Sequence, residues 1–163
     1  MQTSLGFDGY VMKELRPEMK ARFGMAGTVS DALRALSRYE FPWFEVAIDG
    51  KAHEVTGAIF VNMAEYAGRY EVVPGARWDD QLAHALLYTG RSRFAAVRFA
   101  LGIATRRHHL DRNVRIVPAV TMTVPADAEV FVQTDGDVWD GPRPAVCRLS
   151  EHRVNVLIPN AAA

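Results

Sequence analysis

Asp135, Asp137 and Asp140 crowd into the stretch FVQTDGDVWDG, from Phe131 to Gly141, at the end of an apolar run. Three kinds of chemistry use acids at such spacing. The first is a tight hairpin turn, in which Asp-Gly supplies the positive φ that both central residues of a primed turn require. The second is a calcium loop, and here the pattern fails. An EF-hand needs its third oxygen ligand at the fifth position, glycine at the sixth and glutamate at the twelfth, and those places hold Trp139, Asp140 and Val146. The third is proton abstraction, since a carboxylate on a rigid turn at the mouth of a cleft can accept a proton from a substrate hydroxyl. On these residues alone the plain turn and the general base both stay open.

The remaining reactive side chains carry weaker signals. Asp79 and Asp80, in PGARWDDQL, suit a solvated loop, although Asp80 with neighbouring backbone carbonyls offers the oxygen donors that Mg²⁺ takes. His108 and His109 adjoin Asp111. Adjacent helical histidines project about 100° apart, a poor metal pair, and they read as a charged helix end. Cys147, between Val146 and Arg148 in a strand pattern, reads as a small buried apolar residue and not a nucleophile. Neither G-x-x-x-x-G-K-[ST] nor G-x-G-x-x-G occurs, so the chain carries no recognisable nucleotide loop.

These residues need a scaffold, and the 163-residue chain, 49% hydrophobic and 23% charged, suits one domain over 1–163 that buries roughly 70% of its unfolded surface. Nineteen basic and nineteen acidic residues cancel, which argues against nucleic acid as a partner. The single cysteine excludes an internal disulfide and suits a reducing compartment. No apolar run approaches the roughly 20 residues that span a bilayer, and MQTSLGFDGYV lacks a basic region leading into an apolar one. The expected location is cytoplasmic, with room for peripheral contact at the inner face of a membrane.

The spacing predicts a helix in TVSDALRALSRY, with Val29, Ala32, Leu33 and Leu36 on one face and Thr28 or Ser30 as cap. Short strands are expected around the Asp49-Gly50 turn, in EVTGAIFVNMA, RYEVVPG, LAHALLYTG, NVRIVPAVTMTVPA, AEVFVQT, PAVCRLS and HRVNVLIP. Val120, Met122 and Val124 alternate with Thr121 and Thr123. A second helix near residues 91–107 sets Phe94, Val97, Leu101 and Ala104 on a stripe read as core-facing. Arg91, Arg98 and Arg106 form its basic edge, which a helix lying on anionic lipid would also show. The expected fold class is mainly β, an antiparallel two-layer β-sandwich with flanking helices.

Taken in order, the segments resemble the C-terminal domain of the diacylglycerol kinase and sphingosine kinase-like lipid kinase family. SLGFDG is similar to the family's G-F-D-A, and VQTDGD to its V-x-x-D-G-E. AIFVNMAEYAGRYEVVPGARWDDQL is similar to N-x-x-x-x-G-G-x-x-x-x-P-x-A-x-x-x-D-G-x-L-D, and HRVNVLIP to the closing strand. The resemblance implies the lipid-side half of a kinase of phospholipid synthesis that transfers the γ-phosphate of ATP to a lipid hydroxyl. ATP would be held mainly by an N-terminal nucleotide domain, absent from this chain and supplied in cis or in trans. It implies Asp137 as proton acceptor in place of the D-G-E glutamate, with Asp135 as its acidic neighbour. It also implies Mg²⁺ at Asp80, helped by backbone near Arg77 and Leu82. The sequence departs from the pattern at Ala67-Gly68 for G-G, at Gln81 for the loop glycine and at His84 for the second loop acid. The chain alone is expected to be inactive, and homodimerisation stays open. The rival expectation is a non-catalytic lipid- or protein-binding module built on the same sandwich.

Overall fold

A computed structural model of the protein describes residues 2–63, 65–66, 70–77 and 82–150. The strands are β1 (Gln2–Gly6), β2 (Phe44–Ile48), β3 (Lys51–Val55), β4 (Gly57–Val61), β5 (Glu65–Tyr66), β6 (Tyr70–Glu71), β7 (Ala83–Tyr88), β8 (Val114–Ala119), β9 (Thr121–Val124), β10 (Val132–Thr134), β11 (Asp137–Val138) and β12 (Ala145–Arg148). The helices are α1 (Phe7–Glu14), α2 (Pro17–Phe23), α3 (Met25–Arg38) and α4 (Arg93–Ala104), with a 3₁₀ turn at His108–Leu110. The expected HRVNVLIP strand and the Ala67-Gly68 pair lie outside the described residues.

Two antiparallel sheets face each other, ordered β11-β10-β1-β4-β7-β8 and β12-β9-β2-β3, as the sandwich expectation required. Their shared core holds Leu5, Phe60, Leu87, Val46, Met122 and Val124. Strands in the middle of the larger sheet are buried on both sides. Ala58 and Phe60 of β4 point between the sheets, whereas Ile59 and Val61 join Leu86, Tyr88, Val72 and Val73 on the outer face, against Phe99 of α4. A third cluster of Tyr39, Phe41 and Ala96, with Phe7, Tyr10 and Phe131, fastens α1, α3 and α4 to the same outer face. The architecture is thus helices on sheet on sheet, and the second sheet has no helical cover among the described residues.

Two continuous-looking apolar runs each split between the sheets. In EVTGAIFV the chain leaves β3 and enters β4 at Thr56, whose hydroxyl donates to the Gly90 carbonyl at 2.9 Å. In VRIVPAVTMTV the break falls at Val120 between β8 and β9. There Asp49, at φ 49° on the β2–β3 turn, accepts from the Val120 N–H at 3.0 Å and the Thr121 N–H at 2.7 Å. Val120 is therefore exposed and does not share the face of Met122 and Val124.

Both helical stripes differ from expectation. In α3 the buried line is Asp31, Ala35 and Tyr39, whereas Val29 and Leu33 face solvent. Asp31 earns its core place by accepting from the Arg16 N–H at 3.0 Å and from Arg16 Nε at 2.8 Å, which pins the α1–α2 linker to α3. The helix begins at Gly24 without a side-chain cap, not at Thr28 or Ser30. In α4, Ala95 and Ala96 are buried and Phe99 packs inward on Tyr88, with ring centroids 4.6 Å apart. Phe94, Val97 and Leu101 point outward.

The backbone hydrogen bond from Arg16, and then its side chain, hold the Asp31 carboxyl below the usual carboxylate range. A depressed folded-state pKa gives stability that is complete above the unfolded value near pH 3.9 and is lost as pH falls through the folded value. Urea midpoints should therefore drop more steeply below about pH 4 in wild type than in Asp31→Asn. Parallel curves for the two proteins would refute this role.

Candidate functional site

The acidic turn is built as a hairpin. Asp135 and Gly136 both take positive φ, 50° and 95°, and return the chain from β10 to β11. Asp135 is committed to the scaffold. Its N–H donates to the Gln2 carbonyl at 2.9 Å, and its Oδ1 accepts from the Gln2 N–H at 2.8 Å, so the turn is clipped to the start of β1. Asp137, paired across β11 with Thr134, is exposed, and its carboxylate has no hydrogen-bond partner among the described residues. Val138 and Trp139 beside it are also exposed. The two acids thus stand at one solvent-facing end of the sandwich with different duties.

A polar network behind the turn, which sequence reasoning did not single out, fixes its position. Gln133 in β10 is 2% exposed. Its Nε2 donates to Asp8 Oδ2 at 2.8 Å and to the Ser4 hydroxyl, and its Oε1 accepts from the Gly136 N–H at 2.8 Å. Ser4 Oγ in turn donates to Asp8. The amide therefore uses both ends, one on the turn and one on the start of α1. The signal was present: Ser4 and Gln133 are polar residues at positions where the strand pattern demands burial, and Asp8 lies in the GFDG segment.

α1 can approach this closely because of Gly9. A Cβ there would lie 2.5 Å from the Phe131 carbonyl oxygen, so the helix backbone rests directly on the chain leading into β10. Upstream, Gly6 at φ 87° lets β1 pass straight into α1.

The second acidic site is only partly in view. Asp79, Asp80 and Gln81 lie outside the described residues. Arg77 and Leu82, which bracket them, are both exposed, and β7 begins directly afterwards at Ala83. Carbonyl oxygens from Arg77 and Leu82 with an aspartate are hard donors of the kind Mg²⁺ takes. His84, the second residue of β7, has a buried Nδ1 without a hydrogen-bond partner among the described residues. The described residues contain no cluster of three or more His, Cys, Asp or Glu suited to a metal.

His108 corrects the reading of a charged helix end. It is fully buried, and its Nε2 lies 2.6 Å from the Val72 carbonyl, so this nitrogen carries the proton and donates. His109 is exposed. Cys147 packs half-buried against the inter-sheet core, and burial pushes its thiol pKa up, as a structural cysteine requires.

The sequence matches the YegS C-terminal NAD kinase beta sandwich-like domain over residues 2–158. Two solved structures of a putative diacylglycerol kinase from Bacillus anthracis str. Sterne share the fold, with TM-scores of 0.57 and 0.54 and identities of 16% and 14%. Each match covers 90% of this chain and 47% of the other, so the chain spans about half the length of those structures. No curated protein matches the sequence.

Proposed function

Because the chain belongs to the family of the YegS C-terminal NAD kinase beta sandwich-like domain, the C-terminal domain of diacylglycerol kinase-like proteins, we propose that it is the lipid-side half of an ATP-dependent lipid kinase. In this reading a lipid hydroxyl of the diacylglycerol kind attacks the γ-phosphorus of ATP. The bond from that phosphorus to the bridging oxygen breaks to release ADP, and the hydroxyl proton passes to the Asp137 carboxylate. The observation that carries the proposal is the contrast within one turn. Asp135 is tied to β1, Gln133 locks the turn from behind, and the Asp137 carboxylate is left exposed and uncommitted. A base held on a fixed turn loses little orientational freedom when substrate arrives.

The nucleotide would be held by a partner domain, in cis or in trans, because the sequence has no phosphate-cradling loop. Asp80, with the carbonyls of Arg77 and Leu82, is the proposed place for Mg²⁺, whose chemistry would be to neutralise phosphate charge.

A second reading, a lipid- or protein-binding module without catalysis, is favoured by two substitutions. Asp137 is one methylene shorter than the family's glutamate, a retreat of about 1.5 Å, and His84 replaces an acid.

Reconstitution separates the two. The chain fused to a family nucleotide-binding domain should transfer label from the γ-position of ATP to diacylglycerol in mixed micelles, whereas the chain alone should show no heat of ATP binding by calorimetry. A fusion that binds ATP and phosphorylates no lipid would favour the binding module, and ATP binding by the isolated chain would contradict the division of labour.

A further inference from the structure

β3 closes one side of the smaller sheet and β8 one side of the larger. The two strands border a common seam, because the charge of Arg115 on β8 is felt by His53 on β3. Register fixes which way their side chains face. Lys51, His53 and Val55 lie opposite Ile48, Val46 and Phe44, all members of the inter-sheet core, so these three residues of β3 point inward. Arg115 lies opposite Leu87 and Val117 opposite Ala85, which turns Arg115 to the inner side of β8 as well. Val55 and Val117 pack on the core. The rim of the seam is left with an ammonium, an imidazole and a guanidinium.

These three basic groups meet without an acid among them. Glu45 and Glu54 pair with each other one position out of phase, on the outward face of the smaller sheet. Asp49, on the turn beside Lys51, is committed to the Val120 and Thr121 N–H groups. Lys51 and Arg115 make no ion pair among the described residues. Burial, then Arg115 and Lys51, push the pKa of the half-buried His53 ring below the usual histidine range, and no carboxylate offsets them. An inward-pointing lysine is a familiar guard against pairing at a sheet edge. Three cationic groups around one seam instead repel one another, and a bound anion removes that repulsion.

The donor set selects the anion. A guanidinium presents two parallel N–H donors, and the ammonium and the ring add single ones, which suits the several oxygens of a tetrahedral oxyanion better than a halide. We infer that the seam between β3 and β8, at Lys51, His53 and Arg115, binds a phosphate group, as the free ion or as the end of a small phosphomonoester. The inference does not rest on the kinase reading, and its test uses neither ATP nor lipid.

The test follows the His53 ring signal of the chain by NMR between about pH 5 and pH 8, with the signal assigned by its loss in His53→Gln. Titrations are run in chloride, in inorganic phosphate and in glycerol 3-phosphate at matched ionic strength. In chloride the ring should titrate below an ordinary histidine, and bound phosphate, which sets negative charge beside it, should move the titration to higher pH. At fixed pH, Lys51→Gln/Arg115→Gln should raise the half-saturating phosphate concentration by about tenfold or more. Both side chains are exposed, so circular dichroism should report an unchanged fold. A response to inorganic phosphate alone assigns the seam to the free ion, and a response to glycerol 3-phosphate as well assigns it to phosphomonoesters. Equal titration in phosphate and chloride would overturn the inference, as would a phosphate response that survives the double variant.

Discussion

Gly9→Ala is expected to destabilise the protein by about 2–3 kcal/mol, moving the urea midpoint by roughly 1 M, even though alanine is the better helix former. The added Cβ would meet the Phe131 carbonyl oxygen at 2.5 Å, against backbone that has no side-chain rotation to offer. α1 must then lift from the sheet. Lifting it withdraws Asp8 from Gln133 and strips partners from a buried amide, which is itself costly. The effect should therefore exceed simple overpacking and should extend to the turn. Amide exchange at Gly136, whose N–H rests on Gln133, should speed up in the variant. An unchanged midpoint would show that α1 does not set the position of the acidic turn.

Much of this scaffold was legible because local backbone chemistry announces it. Asp49-Gly50 and Asp135-Gly136 both turn as Asp-Gly should, with positive φ at all four residues. The strands either side of them follow. The change of sheet at Thr56 was hidden because β4, buried on both faces, shows no alternation to mark where one sheet ends. Helix faces were misjudged for two distinct reasons. Asp31 occupies the inward line of α3 through its bond to Arg16, which no apolar periodicity can reveal. α4 carries apolar residues on its inner and its outer side, so its period does not say which stripe is the inner one. At the site, the acids of the turn were visible, yet their difference was not: it depends on Gln2, brought to Asp135 by the pairing of β1 with β10 from the other end of the chain, and on the burial of Gln133, which holds Gly136 from within the hairpin.

That difference yields the second large effect. In the fused, nucleotide-competent protein, Asp137→Asn should lower turnover by about 10²-fold or more with little change in KM for the lipid, because a general base acts on the transition state and not on binding. Asp135→Asn keeps a carbonyl oxygen able to accept from the Gln2 N–H, so the turn should hold and most activity should remain. A purely structural turn would give the reverse order, since the Asp137 carboxylate makes no hydrogen bond or ion pair among the described residues whose loss could loosen the fold.

The most direct measurement is the initial rate of label transfer from ATP to diacylglycerol by the fused wild type, Asp137→Asn and Asp135→Asn at saturating ATP. Loss of turnover in Asp137→Asn alone, at unchanged lipid KM, is the predicted result, and an Asp137→Asn protein as fast as wild type would contradict the assignment.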